Sequence, residues 1–118
     1  MAENKQYITQ VQENGSVMIS EDVIATIVLQ SVSDVEGVIS LSNRSGEPVT
    51  KKNLGKGMRI TIGAEDVLYI ECNIVIAYGQ SVVVVANNVQ EAIYGAIESM
   101  TGIKVASVNV NVCGIAGK

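Results

Sequence analysis

The densest group of chemically capable side chains is Lys51-Lys52-Asn53-Leu54-Gly55-Lys56-Gly57, with Arg59 close behind. Lysines beside glycines can bring backbone N–H groups and positive charge to one phosphate or carboxylate. Lys51, Lys52, Lys56 and Arg59 are therefore the candidate anion-binding residues, for nucleic acid, an acyl-phosphate or a lipid headgroup. The same composition also suits a solvated loop whose lysines keep a hairpin edge from pairing with other chains. No aromatic side chain interrupts the segment, and single-stranded nucleic acid is held largely by such stacking platforms.

Elsewhere the sequence offers little for catalysis. It has no histidine, which removes the commonest general base and the commonest metal ligand. Cys72 and Cys113 lie far apart, each in a strand-like stretch. Nothing nearby would favour the thiolate that a nucleophile or a metal site needs. The acidic pairs Glu21/Asp22 and Glu65/Asp66 fit a helix start and a turn. Neither G-x-x-x-x-G-K-[ST] nor G-x-G-x-x-G occurs. The expectation is no catalytic, cofactor-binding or metal-binding residue, and no cofactor. Gly114-Ile115-Ala116-Gly117 spells a G-x-x-G, but it follows a terminal strand and reads as a tail, not as a loop between helices.

The surrounding chain must form one domain. Its 118 residues can bury roughly two-thirds of the surface exposed when unfolded, so two cysteines need not act as a staple. Hydrophobic residues are 47% of the total, yet Trp and Phe are absent. The core must then be built from Val, Ile and Ala, which favours strands and close helix contacts. The net charge of −4 repels nucleic acid and anionic lipid at long range. Five of the eight basic residues nevertheless fall at Arg44, Lys51, Lys52, Lys56 and Arg59, so the middle of the chain is locally positive. Met1 to Gln12 is polar and lacks the apolar stretch of a signal peptide. No apolar run approaches the ~20 residues of a spanning helix. The location expected is cytoplasmic, without membrane insertion.

Periodicity gives the elements. Residues 1–14 read as a flexible polar leader, and 15–116 as a single domain. Gly15–Ile19 is a short strand. Ser20 caps a helix over 21–36 whose first turn holds Glu21 and Asp22, with Gly37 ending it. Val38–Leu41 is a strand, and 42–57 is a long connection, the most mobile internal part from Arg44 to Lys56. Met58–Ile62 and Leu68–Tyr78 alternate as a hairpin. A second helix starts near Ser81 or Val82 and buries Val85, Ala86, Val89, Ile93, Ala96, Ile97 and Met100. Its first turn, Val82-Val83-Val84-Val85, opposes helix propensity. Val108, Val110 and Val112 alternate with Asn109, Asn111 and Cys113 in a last strand. The class is α+β: a two-layer sandwich of two helices on one face of a four- to five-stranded mixed sheet, in the order β-α-β-β-β-α-β. The opposite face would carry Tyr69, Val75, Asn73, Asn109 and Asn111. That set is uncharged and partly aromatic, as the centre of a protein interface tends to be; a solvated polar face is the alternative.

Several short stretches also occur in a telling order: Ser20-Glu21-Asp22-Val23-Ile24-Ala25, Val35-Glu36-Gly37-Val38, Gly55-Lys56-Gly57, Ile74-Val75-Ile76-Ala77-Tyr78-Gly79, Ala86-Asn87-Asn88-Val89-Gln90, Met100-Thr101-Gly102 and Val108-Asn109-Val110-Asn111-Val112-Cys113-Gly114-Ile115. Over roughly 15–116 the chain closely resembles the alkaline shock protein family of Gram-positive bacteria, the envelope stress response proteins. The resemblance implies a compact α+β domain without established enzymatic activity. It also implies self-association and attachment to the inner face of the membrane through a membrane-anchored family member. The function expected is a non-catalytic envelope stress or scaffold protein acting through protein–protein contacts. The alternative is an anion-binding module using residues 51–59.

Overall fold

The computed structural model describes residues 7–43, 46, 47, 49, 57–64 and 67–117. The chain opens with a hairpin of β1 (Tyr7–Gln12) and β2 (Gly15–Ser20), which form a two-stranded antiparallel sheet of their own. The expected polar leader is corrected here: residues 7–12 are a strand, and 1–6 lie outside the described residues. Ile8 is buried in the main core, 1% exposed. That isoleucine anchors a strand whose other residues include Thr9, Gln10 and Gln12.

Ser20 ends β2 and caps α1 (Glu21–Ser33), its Oγ accepting from Val23 N at 3.4 Å. Glu21 and Asp22 occupy the first turn as expected, where they oppose the positive end of the helix dipole. The helix stops before the expected 36, with Asp34 as its C-cap. In its last turns the Ser31 and Ser33 hydroxyls donate to the Ile27 and Leu29 carbonyls, local bonds that weaken serine as a helix former. Gly37 then takes a left-handed φ of 96°, and a Cβ there would stand 2.8 Å from Val85 Cγ2.

A four-stranded sheet follows, built from β3 (Val38–Leu41), β4 (Met58–Ile62), β5 (Leu68–Ala77) and β6 (Val105–Ala116). β5 is its axis. On one side it pairs antiparallel with β4 through Leu68–Cys72 and with β3 through Ile74–Ile76; on the other it pairs parallel with β6. The parallel return requires a crossover, supplied by α2 (Val82–Thr101). Ser81 caps α2 by accepting from Val84 N, and Gly102 closes it at φ 73° with its N–H on Glu98 O. The four valines therefore begin a helix, with Val82, Val83 and Val84 left exposed. The buried stripe is Val85, Val89, Ile93 and Ile97. Met100 departs from the expectation at 70% exposed, because the four-residue rhythm continues to Thr101. There Thr101 Oγ1 donates to Ile97 O and accepts from Ile103 N.

Both helices lie on one face of the sheet and touch each other. Under them Leu68, Ile70, Cys72, Ile74 and Ile76 are essentially inaccessible. This is the α+β two-layer arrangement expected, with the extra N-terminal hairpin. β6 runs through the stretch expected as a tail, to Ala116, with an irregularity between Val112 and Gly114.

Candidate functional site

Lys51, Lys52 and Lys56 lie outside the described residues, as does most of the stretch expected to be mobile. Arg59 is described. It stands exposed on β4, directly opposite Glu71 of β5. A shallow depression of about 110 Å³ is lined by Arg59, Thr61, Tyr69, Ile70, Glu71 and Asn109. A carboxylate in the same depression opposes anion binding at Arg59.

The sheet face away from the helices holds the five residues expected at an interface, but they differ sharply in access. Tyr69 is 47% exposed, and its ring packs over Gly63, where a Cβ would come within 2.7 Å of Cε1. Asn109 is exposed and Asn111 half-buried. Asn73 and Val75 are buried, at 8% and 6% exposure. The expectation that all five face a partner is therefore corrected for these two.

The cause is the connection after β3. Ser42 N donates to Asn73 O, and beyond it β4 occupies the flank of β5, so the chain must leave the sheet plane. The Asn43–Glu47 turn is held by Asn43 N on Glu47 O and Glu47 N on Asn43 Oδ1. It brings Gly46 against the Cys113 carbonyl of β6, where a Cβ would stand at 3.0 Å. β3 and β6 flank β5 on opposite sides, so Gly46, beside Cys113, stands across β5 from Ser42, beside Asn73. Val49 N then returns to Leu41 O.

On this face of β5 the polar groups are matched. Asn111 Nδ2 donates to Glu71 Oε2 at 2.9 Å and to Asn73 Oδ1 at 3.0 Å, using both of its hydrogens. A buried amide is tolerated because its neighbours satisfy it. Cys72 points the other way, into the helix-covered core, as its apolar neighbours two positions away indicated. Burial, with repulsion from Glu71 second, pushes its thiol from 9.0 to about 12. At neutral pH it is a protonated core side chain, not a nucleophile. Among the described residues no three Cys, Asp or Glu side chains are grouped to hold a metal ion.

Sequence reasoning missed Gln90. Its Nε2 donates to Val108 O at 3.0 Å, joining α2 to the backbone of β6. Its position beside the buried stripe was the available signal. Also missed is an apolar end of the molecule. Tyr78 follows β5, Val82–Val84 open α2, and Ile115 pairs with Ile76 near the end of β6. All five are exposed, Val83 at 67%.

Comparison with known proteins places the fold and the family. Chains described as the MamM CTD, among them a nickel form and a copper form, superpose with TM-scores of 0.50 to 0.51 at 13% identity. They cover 79% of this chain and 93–96% of theirs. YqhY of Bacillus subtilis is 30% identical over 105 residues, spanning 86% of this chain and 77% of the relative. Spy1535 of Streptococcus pyogenes is 29% identical over 105 residues, spanning 88% and 81%. YloU of Bacillus subtilis is 27% identical over 107 residues, spanning 86% and 88%. Residues 9–117, from β1 to the end of β6, match the alkaline shock protein 23 family, cell envelope-related function, and the chain belongs to that family.

Proposed function

We propose that this protein is a non-catalytic scaffold of the envelope stress response that works by self-association and by docking to a membrane-anchored protein at the inner face of the membrane. The family's cell envelope-related function supports the setting. Among the described residues no helix is long and apolar enough to cross a membrane, so attachment through a partner fits better than insertion of a described helix. The observation that carries the reading is the apolar end formed by Tyr78, Val82, Val83, Val84 and Ile115. Several large apolar side chains exposed together mark a contact surface more often than a solvated one.

The test is fractionation of cells producing the wild type or Tyr78→Lys/Val83→Lys. Both side chains are exposed, so the fold should survive. The wild type should sediment with membranes and stay there in high salt, and the variant should move to the soluble fraction. Release of the wild type by salt alone would instead favour the anion-binding reading, because phosphate contacts weaken steeply with salt. Equal distribution of both proteins would remove the apolar end from the mechanism.

A further inference from the structure

Among the described residues no strand pairs with the outer edge of β6, and the chemistry of that edge fits a second copy of itself. Leu68 N donates to Lys104 O and Tyr78 N to Ala116 O, so the even-numbered residues of β5 face β6. Asn73 N and Ala77 N donate to Gly57 O and Gly37 O on the other side. Ile70, Cys72 and Ile74 stand opposite Val108, Val110 and Val112. In a parallel ladder such residues bond to the neighbours of their partners. The backbone groups of Val108, Val110 and Val112 therefore point outward. Val108 O takes the Gln90 amide, and the outward groups of Val110 and Val112 have no partner among the described residues.

Open edges in natural proteins are usually blunted by charge or proline. From Val105 to Ala116 there is no Lys, Arg, Asp, Glu or Pro, although the chain carries a net charge of −4. We infer that β6 pairs antiparallel with β6 of a second copy about a two-fold axis at Val110, joining the two sheets into one. The inference rests on the self-association in the scaffold reading and names its surface. About that axis Val110 meets Val110 and Val108 meets Val112, so the apolar faces coincide. Every pair lies before the irregularity that follows Val112.

The opposite face supplies a specific match. The axis sets Asn109 beside Asn111 of the other copy twice, in non-hydrogen-bonded pairs where side chains approach most closely. Asn111 has spent both amide hydrogens on Glu71 and Asn73, leaving Oδ1 to accept. Asn109 is exposed, with its side-chain amide free to donate. A donor thus meets an acceptor at both symmetry-related positions, with no charge to repel. Val108 O keeps a second lone pair for the incoming N–H of Val112.

Two experiments on the full chain test this. Val110→Pro removes an outward N–H without touching the ladder to β5, a substitution that edge strands accept. In sedimentation equilibrium the wild type should exceed the single-chain mass of 12.4 kDa. The variant should fall to that mass with an unchanged circular dichroism spectrum. In the second experiment, Asn109→Cys and Asn111→Cys chains, each also carrying Cys113→Ser, are mixed and oxidised. An interchain disulfide should form in the mixture and not in either chain alone, because only the mixed pair sits within disulfide reach at the axis. If Val110→Pro does not fold, the disulfide decides. A folded Val110→Pro that remains assembled, or no mixed disulfide from an assembled protein, overturns the β6 contact while the scaffold reading stands. A wild type that sediments as one chain overturns both the contact and self-association, and leaves membrane docking to the fractionation experiment.

Discussion

Cys72 links the packing of single side chains to the response to alkali. The folded chain keeps the thiol proton between pH 9.0 and about 12, a window in which an unfolded chain releases it. The group therefore contributes its full stability below pH 9, and that contribution is lost as pH rises toward 12. Its upper bound is about 4 kcal/mol, at roughly 1.36 kcal/mol for each pH unit across the window. Cys72→Val keeps an apolar side chain of similar size and removes the titration. In urea unfolding across a pH series, the variant should lose less stability than the wild type above pH 9; parallel curves would contradict the placement. The face of β5 turned from the helices gives a second comparison. Tyr69→Lys should change stability by less than about 1 kcal/mol. Val75→Lys should cost more than about 3 kcal/mol, because an ammonium would be forced into a buried position. Thermal midpoints of the two variants separate these outcomes. The alternation of Leu68, Ile70, Cys72, Ile74 and Ile76 with Tyr69, Glu71, Asn73 and Val75 assigned every residue of β5 to its proper side. It could not reveal that Asn73 and Val75 are buried. That depends on where a polar, glycine-containing segment runs, and such a segment carries no period of its own.

At the level of elements, helix starts were more legible than the end of α1 or a strand rich in polar residues. Ser20 caps α1 as its hydroxyl indicated, and α2 starts at Val82, within the expected bounds, with Ser81 as its cap. The Ser81 cap and the stripe from Val85 prevail over the strand preference of four valines, since packing of one face outweighs propensity. β1 escaped notice because its apolar residues are few and its partner lies two residues on, across Glu13-Asn14. Two glycines test the account of helix packing with opposite signs. Gly95 lies inside α2 with nothing within 4 Å of the place an alanine methyl would take, so Gly95→Ala should stabilise by about 0.5–1 kcal/mol. Gly37 has φ 96° and Val85 Cγ2 at 2.8 Å from the corresponding methyl position. Gly37→Ala should destabilise by about 2 kcal/mol or more, through backbone strain and displacement of α2 from the turn after α1. Denaturant midpoints on both variants check the pair, and equal shifts would refute the difference in packing.

For the whole molecule, the N-terminal hairpin belongs to the fold and is not an appendage. Deleting residues through Gln12 removes Ile8 from the core and leaves β2 without its partner. The deletion should cost at least about 2–4 kcal/mol, the scale of losing a buried isoleucine, with a matching fall in the unfolding midpoint. A midpoint unchanged by the deletion would return the segment to the status of a leader. The sheet itself has a second consequence, because every ladder in it includes β5. During synthesis, the segments of β3 and β4 emerge from the ribosome before the strand that will join them exists. Once the β1–β2 hairpin has formed, a nascent chain can close the ladders of the four-stranded sheet only when Leu68–Ala77 has cleared the exit tunnel. β6 must wait for α2 as well, so parallel pairing is the last step of assembly. Arrested chains that expose residues only as far as Ile62 should remain sensitive to protease, and those exposing Ala77 should begin to resist it. A single central strand thus serves as the timing point at which translation turns a collection of apolar segments into a domain.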